Sequence, residues 1–108
     1  MRLPLLAAAL SMTLGAVAAP IDTLARIKET GVATMGVREA SGALSYRVGE
    51  NTFDGFHVEL CQRVLDDVRQ KLAMPRLDIA YRPVSSQNRI PLLLNGSIDI
   101  ECGSTTNT

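Results

Sequence analysis

The sequence contains no tryptophan, one histidine and two cysteines, and aromatic residues fill only 4% of its 108 positions. So few rings leave no stacking platform for single-stranded nucleic acid. Eleven lysines and arginines face 11 aspartates and glutamates, so the formal net charge is zero. No long-range field therefore recruits nucleic acid or any other polyanion, and steering must come from local charge. The lone histidine and two cysteines cannot complete a four-ligand zinc site, and they exclude a disulfide-stapled miniprotein. No metal or cofactor is expected. Nucleophilic catalysis by Cys102 or Ser104 is also disfavoured, because His57 stands on a different element and no third orienting group is evident. The chain therefore reads as non-enzymatic. A hydrophobic content of 46% and a charged content of 20% belong to a folded domain rather than a disordered one. The length allows one modest domain, or part of a larger one.

Long apolar runs are scarce too. Leu3 to Val17 is uncharged and apolar or small, yet too short to span a bilayer comfortably. Arg2 precedes it as a positive n-region, and Ala16-Val17-Ala18 supplies the small residues that signal peptidase reads. Residues 1–18 are therefore expected to be a signal peptide, with a membrane anchor as the alternative. No cysteine closes the apolar run, so lipid attachment is not expected there. Cleavage after Ala18 leaves 90 residues, 19–108, as an exported and soluble chain.

That chain alternates helix and strand signals. Asp22 as N-cap and Gly31 as C′ bracket a short helix, and Val32–Val37 reads as a buried strand ending at Arg38-Glu39. Leu44–Val48 alternates apolar-in with polar-out, and Gly49-Glu50-Asn51 turns it back toward Phe53 as a hairpin. In the longest periodic segment, Phe56, Leu60, Val64, Val68 and Leu72 recur every four residues beside Cys61 and Leu65, predicting one wide apolar helix face. Glu59–Arg63 and Asp67–Lys71 are expected i,i+4 pairs on it, and Pro75 closes it. Leu77–Arg82 alternates as a strand. Arg89–Leu94 forms a helix with Pro91 in its first turn and Asn88 or Ser86 as cap, ended by Asn95-Gly96. Ile98–Cys102 is a third sheet strand, followed by a polar loop from Gly103 onward. Alternation of this kind implies an α/β fold with a mainly parallel sheet and flanking helices.

Ligands of such sheets sit beyond the carboxyl ends of the strands. Arg38 follows the first strand, Ser86 and Arg89 follow the next, and Ser104, Thr105 and Thr106 follow the last. Two guanidiniums beside short hydroxyls suit an anion, carboxylate above all, although loop-end arginines are also common as solvated charges. Cys61 and Cys102 fit either a disulfide, which an oxidising compartment permits, or two packed thiols.

Gly55-Phe56-His57-Val58-Glu59-Leu60, Ser86-Gln87-Asn88-Arg89-Ile90-Pro91 and Glu101-Cys102-Gly103-Ser104-Thr105-Thr106-Asn107 together resemble the polar-amino-acid group of bacterial periplasmic solute-binding proteins (family 3), and most closely the glutamate/aspartate-binding components of ABC importers. The resemblance covers all of residues 19–108. It implies one lobe of a type II periplasmic-binding-protein fold, a periplasmic location, a monomeric receptor, and delivery of an acidic amino acid to an ABC permease in the inner membrane. It also implies that Arg89 clamps the ligand α-carboxylate with help from Ser104 and Thr106, while Arg38 and Ser86 meet the side-chain carboxylate.

Three departures from that pattern stand out. His57 replaces the acidic residue usual after Gly-Phe and reads as a surface change with no ligand role. Ala43-Leu44 stands where relatives often carry Pro-aromatic. The sequence stops just after the third motif, where the resemblance implies a second lobe and hinge, so residues 19–108 are expected to be a truncated first lobe. A remnant without a transport role, and the sensory ectodomain of a signalling protein, are the alternative readings.

Overall fold

A computed structural model describes residues 22–106. The expected signal peptide at 1–18 lies outside the described residues. Asp22 caps the first helix by accepting the Ala25 N–H at 3.0 Å, and Gly31 ends it at φ 73°, donating its N–H to Ile27 O. This helix, α1 (Thr23–Thr30), buries Ile27. It is followed by β1 (Val32–Val37), β2 (Tyr46–Gly49), β3 (Thr52–Asp54), α2 (Phe56–Lys71), β4 (Asp78–Pro83), α3 (Arg89–Leu94) and β5 (Ile100–Cys102).

The main sheet has the order β4-β1-β5 and is parallel throughout. β1 lies in the centre, which is why Ala33, Met35 and Val37 are fully buried. Val37 is level with Pro83 on one side and Cys102 on the other. All three strands therefore end at one edge, and the segments leaving them converge there. β2 and β3 form a separate antiparallel hairpin. Ile27, Phe53, Val58, Leu65 and Met74 close over one face of β1 as the core.

Several expectations are corrected by this packing. The face of α2 that meets the core runs through Val58, Cys61, Leu65 and Leu72, whereas Phe56 is 60% and Val64 50% exposed. A strict four-residue repeat advances about 40° around the helix at each step, so it drifts off the sheet that a 3,4 spacing follows. Glu59–Arg63 and Asp67–Lys71 form no ion pairs; Asp66 instead takes Arg69 at 3.0 Å and Gln70 at 3.0 Å. In the hairpin the expected alternation is absent, since all four residues of β2 are exposed. Ser45 is fully buried while Tyr46 and Val48 are exposed, because the Ser45 hydroxyl turns inward to serve the Arg38 backbone.

Asn88 stands at the N-cap of α3, one of the two residues expected there, but its side chain makes no cap bond to the helix. Ser85 Oγ accepts the Asn88 N–H at 3.1 Å and Asn88 Oδ1 accepts the Ser85 N–H at 2.7 Å, a reciprocal arrangement of capping-box type. β4 begins at Asp78, one residue after Leu77. β5 begins only at Ile100, because Asp99 interrupts the ladder: its carboxylate accepts the Thr34 N–H at 2.8 Å and holds Arg26. Cys61 and Cys102 form a disulfide, with Cα atoms 6.3 Å apart.

Candidate functional site

The edge where β1, β4 and β5 end collects the candidate residues. Arg38 is the first residue beyond β1, and its backbone is fixed from both sides by Ser45, whose Oγ accepts the Arg38 N–H at 2.9 Å and donates to the Arg38 carbonyl at 3.0 Å. A serine buried without such bonds would lose the free energy of its hydration. Here the buried hydroxyl locks the origin of the Arg38 side chain. From that origin Arg38 Nη1 donates to Ser86 Oγ at 2.9 Å. The Val37↔Pro83 register makes this possible by bringing the β1 and β4 exits level.

Arg89 opens α3. Its Nη1 is buried and has no hydrogen-bond partner among the described residues. A guanidinium nitrogen in that condition is a donor awaiting an acceptor. Ser104 leaves β5 and its hydroxyl lies 3.2 Å from that of Ser41. Thr106 is exposed and is the last residue described. Arg38 and Ser86 are thus joined directly, Ser104 is tied to the loop that follows β1, and Arg89 and Thr106 stand on the same edge without hydrogen bonds to the other candidates.

A cavity of about 420 Å³ lies between the β1 and β4 exits, lined by Arg38, Glu39, Ala40, Pro83, Val84, Ser85 and Asn88. A second, of about 220 Å³, lies between α2 and the β5 exit, lined by His57, Leu60, Cys61, Glu101, Cys102, Gly103 and Thr105. A larger hollow of about 640 Å³ runs among Glu59, Gln62, Arg63, Asp66 and Asp67 on the solvent side of α2. It lies on one helix face, away from the strand ends, and gathers no buried polar atom left without a partner. Of the five candidate residues, Arg38 lines the first of the two edge cavities.

Three contributors were not legible from the sequence. Ser45 is one. His57 is another: it is half-buried, and its Nδ1 meets the Gly103 carbonyl oxygen, so the expectation of a plain surface residue is corrected. Glu101 is the third, accepting the Thr105 hydroxyl at 2.7 Å through Oε2 while Oε1 is buried without a partner. Only the short spacing between His57 and Cys61 hinted at a shared face. Nothing local announced the other two.

No group of three or more histidine, cysteine, aspartate or glutamate residues able to hold a metal occurs among the described residues. No described helix is long and apolar enough to cross a membrane.

Comparison with known proteins agrees with this architecture. The family model of the bacterial extracellular solute-binding proteins, family 3, matches residues 33–108. An L-glutamate/L-aspartate-binding protein of Pseudomonas aeruginosa is 48% identical over 86 residues, covering 79% of this chain and 28% of that protein. A glutamate/aspartate import solute-binding protein of Escherichia coli is 40% identical over 102 residues, covering 94% of this chain and 34% of that one. The chain thus spans about a third of the length of these relatives. A solved cysteine-binding protein from Campylobacter jejuni superposes with a TM-score of 0.67 at 21% identity, over 82% of this chain and 34% of its own, which places the fold among type II periplasmic binding proteins.

Proposed function

The chain belongs to the bacterial extracellular solute-binding proteins, family 3, and on that footing we propose that it binds an acidic amino acid, glutamate or aspartate, at the carboxyl edge of its parallel sheet. It acts without catalysis, as part of the periplasmic substrate-binding component of an ABC importer, and hands its ligand to an inner-membrane permease. Residues 19–108 supply the first part of the first ligand-binding lobe and residues 1–18 the export signal.

One observation carries this reading: two guanidiniums stand on one sheet edge, Arg38 already bonded to Ser86 and Arg89 with a buried nitrogen that lacks an acceptor. An acidic amino acid brings two carboxylates, and planar bidentate pairing suits each to an arginine. In the proposed pose Arg38 and Ser86 meet the side-chain carboxylate, while Arg89, Ser104 and Thr106 meet the α-carboxylate. The names of the Pseudomonas and Escherichia relatives point to the same ligands.

Calorimetric titration with glutamate, aspartate, glutamine and asparagine tests the proposal. A charge-assisted bond contributes about 1.5–3 kcal/mol, so the acids should bind roughly tenfold or more tightly than their amides. Equal affinity for glutamate and glutamine would show that no guanidinium reads the side-chain carboxylate.

A further inference from the structure

We infer that His57 is a positioning residue, which holds the segment Gly103–Thr106 at the sheet edge by donating a hydrogen bond to the Gly103 carbonyl. The inference rests on the proposed reading that this edge takes an amino acid, because Ser104 and Thr106 lie in that segment.

His57 and Cys61 are four residues apart in α2 and therefore share one face of the helix. Both reach the same stretch of chain. Cys61 is bonded to Cys102, and His57 Nδ1 meets the carbonyl oxygen of Gly103, the next residue along. A carbonyl oxygen only accepts, so Nδ1 must carry the proton in this contact, whether the ring is neutral or charged. The backbone of His57 is itself anchored, its N–H donating to the Leu44 carbonyl at 3.0 Å.

The two ties do different things. The disulfide fixes where Cys102 lies but leaves the following peptide free to rotate. The bond to the Gly103 carbonyl sets the direction of the peptide that leads into Ser104. Gly103 cannot supply that direction by packing. A Cβ there would stand 2.5 Å from Arg38 Cγ and 2.7 Å from Glu101 Oε1, so a side chain is excluded by the very groups that build the site. Glycine is also the residue with the widest backbone freedom. No side chain at 103 can therefore restrict the backbone where the site needs a defined orientation, and α2 supplies a constraint. The later contacts, Ser41 with Ser104 and Thr105 with Glu101, join exposed groups and follow from the direction already set.

Asparagine and aspartate at position 57 make a matched pair for the test. The amide can donate to the Gly103 carbonyl; the carboxylate cannot, and repels it. An aspartate in the first turn of α2 also favours the helix dipole, so loosening in His57→Asp cannot be ascribed to a weakened helix. On the full chain, backbone ¹⁵N order parameters for Gly103–Thr106 should stay near about 0.85 in the wild type and in His57→Asn, and fall below about 0.6 in His57→Asp. Glutamate affinity by calorimetry should drop several-fold in His57→Asp and be retained in His57→Asn. Equal order parameters in the two variants overturn the inference, and so does a loosened segment with unchanged affinity. Should the wild-type chain take up no amino acid, the proposed function fails, while the relaxation data still decide whether His57 holds the segment.

Discussion

Arg38 carries side-chain selectivity in the proposed site, and its position is set by a buried serine rather than by its own contacts. Ser45 bonds both the N–H and the carbonyl of Arg38, so the guanidinium starts from a fixed backbone before it reaches Ser86. Arg38→Ala should therefore cost glutamate and aspartate roughly tenfold or more in affinity, the free energy of one charge-assisted bond. Glutamine should be little affected. Arg89→Ala should weaken every amino acid, since all share the α-carboxylate. Paired titrations with glutamate and glutamine separate the two roles; a matching loss for both ligands in both variants would refute the division.

Among the elements, α2 depends on its entry more than on its composition. Its N-cap, Gly55, has no side chain with which to cap, and the first N–H groups are met instead by the Ala43 and Leu44 carbonyls, at 2.9 Å to Phe56 and 3.0 Å to His57. That strand of chain passes so close that a Cβ on Gly55 would lie 2.3 Å from Leu44 O, at a φ of 133° that other residues rarely adopt. Gly55→Ala should lower stability by about 2 kcal/mol or more, because backbone, not a mobile side chain, must give way. A denaturation midpoint like that of the wild type would contradict this account. The disulfide links α2 to β5 across 41 residues, and a loop of that length stabilises by about 2–4 kcal/mol through the unfolded state. Cys61→Ala with Cys102→Ala should lose that amount in urea unfolding, and a loss well below 1 kcal/mol would show that packing, not the cross-link, holds the two elements.

At the scale of the whole molecule, the sheet leaves β4 and β5 as its outer strands among the described residues, and the edge cavities open to solvent. Ion pairs that face water typically contribute about 0–1 kcal/mol each, whereas the same pairs in a closed, drier site are worth more. The relatives are about three times as long as this chain. Fusing the remaining length of the Escherichia coli relative after residue 106 should therefore raise glutamate affinity by roughly tenfold or more over the 108-residue chain, by further burying the guanidinium–carboxylate contacts. Equal affinities for the two proteins by calorimetry would mean that the single lobe already supplies the complete site.

The sequence by itself determined whatever near neighbours decide. Asp22 and Gly31 bound α1 because capping acts within a single turn. β1 stops at Arg38-Glu39 because a central strand has no room for adjacent charges, and the alternation of helix and strand signals points to a parallel sheet, in which chain direction alone gathers the carboxyl ends of the strands on one edge. Tertiary structure decided the rest. Which face of α2 is buried depends on the angle at which the helix meets the sheet, and a four-residue repeat could not reveal the 58-61-65-72 line. Whether two cysteines join depends on a 6.3 Å approach between residues 41 apart. Asp99 ended β5 early because its partners, Thr34 and Arg26, come from elements far upstream. The burial of Ser45 and the bond from His57 to Gly103 likewise need surfaces that exist only after folding. Local rules act through the covalent neighbourhood, and those contacts do not.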